Sequence, residues 1–151
     1  DWEAAQTLAE QAFDRAEAIK MRGTAAEVAG LLGEIALATG RPAKAHFEAM
    51  ADRAAVTGSR LLQGLASFGL AASDAYGPEA AARVAEARTH VDAFMNELDP
   101  AARAAFLQPG ERRRAYEGNH IDFSIARARS RGTGPLPGLG TGPLGPPGMW
   151  R

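Results

Sequence analysis

The 151-residue chain contains no cysteine, so it forms no disulfide framework and offers no thiolate ligand for zinc. No apolar run approaches the roughly 20 residues that a membrane-spanning helix needs. No alternating apolar run bounded by turns predicts a β-strand. The only lysines are Lys20 and Lys44, and neither follows the glycines of a phosphate-binding loop. These absences favour an all-α, cytoplasmic protein.

Charged residues are balanced overall but unevenly distributed along the chain. A net charge of −1 and a pI near 6.4 argue against bulk electrostatic attraction to nucleic acid or to an anionic membrane. However, six arginines and only three acidic residues lie between Glu111 and Arg131, so this end is basic and the preceding body is acidic.

The side chains that most often carry chemistry form no recognisable constellation. His46, His90 and His120 stand far apart, without the spacing of a metal site. No serine lies in a nucleophile elbow. Glu10 and Asp14 are four residues apart on a predicted helix, where two carboxylates are expected to face solvent and repel. The sequence therefore predicts no catalytic residue, no metal site and no cofactor.

Apolar residues recur at spacings of three and four, which is typical of amphipathic helices. Gly23 is predicted to end the first helix, and Thr24 with Glu27 to form a capping box at the start of the second. Asp99 is predicted to cap a short sixth helix. The predicted helices cover residues 1–22, 24–40, 42–57, 59–76, 78–98 and 100–107.

One spacing occurs twice. Gly40 and Gly77 are 37 residues apart, and so are Ala45 and Ala82, with a proline just after each turn glycine. A repeat of this length predicts successive helical hairpins that stack on one another. The predicted units are a half repeat at 1–22, repeats at 24–57 and 59–98, and capping helices at 100–117.

Small residues at the predicted interfaces would let neighbouring helices approach closely. Large side chains at the same positions would push the helices apart. The residues expected to have this role are Ala5, Ala9, Ala12, Gly33, Ala45, Gly69, Ala82 and Ala85.

These residues resemble the tetratricopeptide repeat family, whose units are helical hairpins of about 34 residues. Leu32-Gly33, Gly40 and Ala45 match the Leu-Gly pair, the turn glycine and the second-helix alanine of that family. The second unit has Gly69-Leu70 in the reverse order, the first-helix aromatic residue is absent after Gly33, and the period is 37. The alanine-rich repeats and the ending that begins at Leu98 also look like C-terminal repeat arrays of bacterial signal-transducing ATPases, LuxR-type activators and Ser/Thr kinases.

The resemblance implies a short right-handed solenoid whose concave surface, lined by the first helix of each pair, binds a protein or peptide. It implies a protein-interaction scaffold that belongs to a larger bacterial signalling protein, any ATPase or kinase activity lying outside this chain. The alternative is the ligand-sensing domain of a transcription regulator. The same positions also fit an ordinary solvated helix surface. The candidate contact residues are Glu27, Glu34, Arg60, Gln63 and Ser67.

The two ends of the chain carry further expectations. Arg112, Arg113 and Arg114 could contact an acidic partner or nucleic acid, or could simply give the last repeat a polar cap; nucleic acid is the less favoured partner. Residues 118–131 are predicted to be weakly structured, and the Gly- and Pro-rich residues 132–151 to be disordered. At the other end, the chain opens without Met inside a helical pattern, which predicts a fragment. An exposed apolar face on its first helix is therefore expected, with self-association through that face.

Overall fold

The computed structural model describes residues 1–107, which form six helices and no strand. The prediction of an all-α fold is confirmed for these residues. Arg112–Arg114, the basic segment 118–131 and the tail 132–151 lie outside the described residues, as does the predicted capping region beyond residue 107. The helices are α1 (Trp2–Ala18), α2 (Arg22–Ala38), α3 (Lys44–Thr57), α4 (Arg60–Ser73), α5 (Ala80–Glu97) and α6 (Pro100–Phe106).

Each helix from α1 to α4 packs against the next helix along the chain. The connections are short, between two and six residues, so consecutive helices run antiparallel. In addition, α2 packs against α4 more extensively than α1 packs against α3 or α3 against α5. The even-numbered helices α2 and α4 are therefore closer to each other than the odd-numbered ones.

The helices α1 and α3 run parallel with a nearly constant offset in sequence. Gln6 of α1 accepts a hydrogen bond from Arg41, which is 35 residues later. Glu17, near the other end of α1, accepts hydrogen bonds from Arg53 of α3, which is 36 residues later. These offsets are close to the 37-residue spacing of the turn glycines.

Phe47 lies at the centre of the core, with 1% of its surface exposed. Its ring sits between Gly33 of α2 and Gly69 of α4. A methyl group on Gly33 would lie 2.6 Å from Cζ of the ring, and a methyl group on Gly69 would overlap the ring. The two glycines predicted to allow close approach therefore make room for one aromatic side chain that three helices share.

The remaining core extends from this ring toward α5 and α6. Gly64 brings α4 close to α5, because a methyl group there would lie 2.7 Å from Val91 and 3.1 Å from the carbonyl oxygen of Ala87. The rings of Phe94 and Phe106 meet edge to face with their centroids 5.2 Å apart, which places α6 over the end of α5. Other buried members are Met50, Leu65, Phe68, Met95 and Leu107.

The boundary between α1 and α2 differs from the prediction. The chain leaves α1 after Ala18, because Lys20 adopts a left-handed conformation (φ 58°) and the Met21 amide donates to the Ala16 carbonyl at 2.8 Å. This is the hydrogen bond of a Schellman motif, with lysine where glycine is usual. The second helix consequently begins at Arg22 and contains Gly23, and no side chain caps it, so the predicted Thr24–Glu27 capping box was wrong.

The other ends follow the predicted residues more closely. Gly40 and Gly58 are left-handed (φ 68° at each), and Asp99 Oδ1 accepts a hydrogen bond from the Ala102 amide at 2.8 Å. The fourth helix ends at Ser73 instead of 76, and Tyr76 is 77% exposed rather than part of an apolar stripe. Helices α3 and α5 each begin two residues after their proline.

Half of the predicted small-residue contacts were wrong. Ala45 and Ala82 are exposed, whereas Ala43 and Ala80, also 37 residues apart, are buried. The reason is helix geometry: Phe47 fixes the inner face of α3, and Ala45 lies about 200° around the helix from it. The other two exposed residues of the predicted set are Ala12 and Ala85.

Candidate interaction surfaces

The five predicted contact residues lie on α2 and α4 but differ in exposure. Glu34 and Ser67 are buried, with 4% and 6% of their surface exposed. Glu27 and Arg60 are exposed, and Gln63 is half-buried. Burial of two of the five leaves Glu27, Arg60 and Gln63 as the residues that a partner could touch.

Glu27 and Arg60 are close to the N-terminal ends of two helices that run in the same direction, so both lie at the same end of the bundle. Neither forms an ion pair with another residue among 1–107. Gln63, one turn after Arg60, has a buried Oε1 that accepts no hydrogen bond from the described residues. An unpaired buried acceptor is costly, but a partner cannot contact this oxygen in the observed conformation because the atom is inaccessible to solvent.

His90 of α5 has a similar unsatisfied atom. The sequence predicts a surface histidine, but the side chain is half-buried and its Nδ1 has no hydrogen-bond partner among residues 1–107. The backbone of α4 passes close by, because a methyl group on Gly64 would lie 3.4 Å from the Cβ of His90. The close approach of α4 and α5 at Gly64 therefore explains the burial of this side chain.

A groove of about 210 Å³ opens between α1 and α3, with α2 as its floor. We call it the α1–α3 groove. Glu10 accepts a hydrogen bond from Gln6 Nε2 at 2.7 Å, and Asp14 lies one turn further along α1. Neither carboxylate forms an ion pair within residues 1–107, although both border an apolar surface. The lining residues are Glu10, Phe13, Asp14, Ala29, Leu32, His46 and Ala49.

The sequence predicts only a solvated surface at Glu10 and Asp14. Both are exposed, as predicted, but they stand at the rim of a groove instead of on an open helix face. The only signal of this arrangement in the sequence is the offset of 36 that relates Glu17 to Arg53, and one pair of opposite charges is too common to identify a groove.

An ion pair closes one end of the α1–α3 groove. Arg53 of α3 donates hydrogen bonds from Nε and Nη2 to the two carboxylate oxygens of Glu17, each at 2.9 Å. Its guanidinium also stacks on Phe13, with its central carbon 4.8 Å from the ring centroid. Arg22 adds a longer contact to Glu17 at 3.7 Å.

The electrostatics of this pair favour the charged forms. The hydrogen bonds from Arg53 lower the pKa of Glu17; partial burial opposes the shift, and the positive charges of Arg53 and Arg22 reinforce it. In turn, the carboxylate of Glu17 raises the pKa of Arg53. Both groups are therefore ionised at neutral pH, and the pair ties α1 to α3.

A smaller depression of about 100 Å³ separates α3 from α5. Lys44 and Glu48 of α3 and Ala80 and Arg83 of α5 border it. Both of its cations are paired locally: Lys44 with Glu48 at 3.8 Å, and Arg83 with Glu79 at 3.9 Å. These exposed pairs are weak, and the third carboxylate, Asp74, forms no ion pair within residues 1–107. The lining residues are Lys44, Glu48, Leu70, Asp74, Glu79, Ala80 and Arg83.

The outer surface of α1 carries exposed apolar side chains. Leu8 and Ile19 are each 66% exposed, and Met21, just after the helix, is 50% exposed. The sequence predicted such a face, and the side chains lie as expected. Self-association through this face is untested and stays a prediction.

No protein-family model, curated protein or solved structure matches this chain. The resemblance to tetratricopeptide repeats therefore stays a prediction. Across residues 1–107, no three His, Asp or Glu side chains are grouped so that they could hold a metal ion. In the same part of the chain, no helix has the length and apolar composition needed to cross a membrane.

Proposed function

We propose that this chain is a protein-interaction scaffold, a short right-handed solenoid of helical hairpins from a larger bacterial signalling or regulatory protein. The observation that carries the proposal is the nearly constant offset of 35 to 36 residues between hydrogen-bonded residues of α1 and of the segment that contains α3. A constant offset between alternate, parallel helices is what stacked hairpins produce. The contact of α2 with α4 adds support, because the first helices of stacked hairpins lie side by side.

In this proposal, a cytoplasmic protein or peptide binds across the first helices, α2 and α4. Glu27 and Arg60 supply opposite charges at one end of that surface, and the half-buried side chain of Gln63 lies one turn from Arg60. Exposed ion pairs contribute only about 0.2–1 kcal/mol each, so these charges select a partner more than they hold it. Arg112, Arg113 and Arg114 are a proposed second contact for an acidic partner.

The proposal is tested by site-specific photo-crosslinking with the full chain. A photoreactive phenylalanine replaces Glu27 or Arg60 on the proposed surface, and Ala45 or Ala85, both exposed on α3 and α5, in matched controls. We expect one and the same protein of the source organism to be captured from positions 27 and 60, with little capture from 45 and 85. Equal capture from all four positions, or none, would contradict the proposal.

Charge reversal provides an independent check once a partner is captured. The variants Glu27→Arg and Arg60→Glu should each weaken binding several-fold, because each replaces an attraction of up to about 1 kcal/mol with a repulsion. The same reversal at Glu86 of α5 should leave the Kd unchanged, because α5 lies outside the proposed surface.

The alternative, a ligand-sensing domain of a transcription regulator, has one observation in its favour: the α1–α3 groove has an apolar floor. Its volume of about 210 Å³ is below the roughly 300–1,000 Å³ of most small-molecule sites. A metabolite that raises the melting temperature of the full chain, combined with no crosslinked protein, would favour this alternative.

A further inference from the structure

The α1–α3 groove has an arginine at one end and unpaired negative charge along its rim. At its closed end, the Arg53 guanidinium pairs with Glu17 and stacks on Phe13. Asp14 and Glu10 continue the same row of carboxylates along α1, at the rim of the groove, and neither is paired with a cation within residues 1–107. A second guanidinium would find charge at the rim and an apolar floor for its methylene groups.

The chain itself contains a segment of complementary charge. Residues 1–107 carry fifteen acidic and ten basic side chains, a net charge of −5, whereas residues 108–151 carry three acidic and seven basic side chains, a net charge of +4. Within that second part, Arg112–Arg114 are flanked by Glu111 and Glu117. By contrast, no acidic residue occurs after Asp122, so Arg127, Arg129 and Arg131 form the uncompensated positive cluster.

We propose that the α1–α3 groove binds an arginine side chain from the cluster Arg127, Arg129 and Arg131 of the same chain. The proposal concerns a different surface from the α2 and α4 face and does not rest on it. Chain length permits the contact: residue 127 is twenty positions beyond Leu107, and an extended chain covers up to about 65 Å over that distance. The longest helix, with 18 residues, measures only about 27 Å.

The experiment is paramagnetic relaxation enhancement on the full chain. Because the chain has no cysteine, Thr133→Cys gives a single site for a nitroxide label just after the cluster. We expect the label to broaden backbone amide signals of Phe13, His46 and Ala49, which line the groove, far more than those of α5 or α6. The effect should disappear near 1 M salt, where the Debye length is about 3 Å.

Two pairs of variants make the test specific. Glu10→Gln combined with Asp14→Asn should abolish the local broadening, whereas Glu97→Gln combined with Asp74→Asn removes two exposed charges outside the groove and should leave it intact. The triple variant Arg127→Gln, Arg129→Gln, Arg131→Gln should also abolish it. Its counterpart at Arg112, Arg113 and Arg114 loses the same charge and should retain the broadening. An unchanged amide spectrum for each variant shows that the helices remain folded.

Four outcomes would overturn the proposal. The first is uniform or absent broadening of the groove signals. The second is broadening that survives removal of the groove carboxylates. The third is broadening, in a dilute mixture, of the signals of an isotope-labelled chain that carries no nitroxide by a second chain that carries it. The occupant of the groove would then be a second copy. Equal loss in both arginine triple variants would likewise assign the contact to overall charge and contradict a specific cluster.

Discussion

The substitution Gly69→Ala should destabilise the protein even though it places a good helix former inside a helix. A new methyl group at this position in α4 would overlap the ring of Phe47, which is 1% exposed and is confined on its other side by Gly33. The ring cannot move away from one helix without approaching the other. The helices α2 and α4 must therefore separate, or the ring must leave its rotamer.

The expected magnitude follows from two opposing terms. Replacing glycine with alanine in a helix interior stabilises by about 1 kcal/mol through backbone entropy. Overpacking a close-packed core costs about 1–3 kcal/mol, and the tight space around Phe47 favours the upper half of that range. Gly69→Ala should thus lower the free energy of unfolding by about 1–2 kcal/mol. Gly33→Ala should do the same to a smaller extent, because its methyl group would approach the ring less closely.

Urea unfolding of the full chain, followed by circular dichroism at 222 nm, measures these changes. The matched control is Gly23→Ala in α2, the helix that also contains Gly33. A methyl group at Gly23 would meet no atom within 4 Å, so this substitution should stabilise the protein by up to about 1 kcal/mol. In the Phe47→Leu background, Gly69→Ala should stabilise the protein instead of destabilising it, because the smaller leucine side chain can move away from the new methyl group. If Gly69→Ala stabilises as much as Gly23→Ala does, the inferred packing of the Phe47 ring between Gly33 and Gly69 is wrong.

Three further predictions concern helix ends and the ion pair. Lys20 and Gly40 both have a left-handed backbone conformation (φ 58° and 68°). Lys20→Gly should therefore raise the free energy of unfolding by about 1 kcal/mol, and Gly40→Ala should lower it by about 1–2 kcal/mol, as measured by urea titration. Asp99→Ala removes the cap of α6 and should cost about 1 kcal/mol by the same measurement. Glu17→Gln should lower the melting temperature at pH 7. Since Arg53 lowers the pKa of folded Glu17, the ionised carboxylate stabilises the protein above the ordinary pKa of about 4.3, and this stabilisation is lost as the pH falls through the lowered value. The melting curves of the two proteins should therefore converge in acid.

Most helix ends were predictable because they depend on local chemistry. Gly40 and Gly58 end helices as left-handed residues, and Asp99 caps α6, each through groups within a few positions of the end. Lys20 shows where local reasoning fails. A left-handed lysine carries a steric cost, so a sequence pattern does not predict one. Here the packing of Ala16 and the hydrogen bonds of the turn after it outweigh that cost.

The register of α3 against its neighbours was not predictable from the period alone. A spacing of 37 fits Ala45 with Ala82 and Ala43 with Ala80 equally well, and only the position of Phe47 selects the second pair. The glycines that receive the ring lie 14 and 22 positions from Phe47, on two other helices. No local pattern connects residues that meet only when three helices have packed.

The candidate surfaces were the least predictable feature, because exposure depends on the same packing. Glu34 and Ser67 have the helix positions of contact residues, but both are buried in the folded chain. Glu10 and Asp14 have the spacing of a solvated acidic surface, but α3 lies beside them and forms the other wall of a groove. Each outcome depends on helix packing, which brings together residues that are far apart in the sequence.

The two depressions between alternate helices differ in the charge that they offer to a ligand. The first lies between α1 and α3 and the second between α3 and α5. Their chemistry differs because the side chains differ: Lys44 and Arg83 pair with two of the three carboxylates beside the second depression, whereas within residues 1–107 no cation pairs with Glu10 or Asp14 beside the first. The unpaired carboxylates of Glu10 and Asp14 therefore give the α1–α3 groove a negative charge that a cationic group can bind.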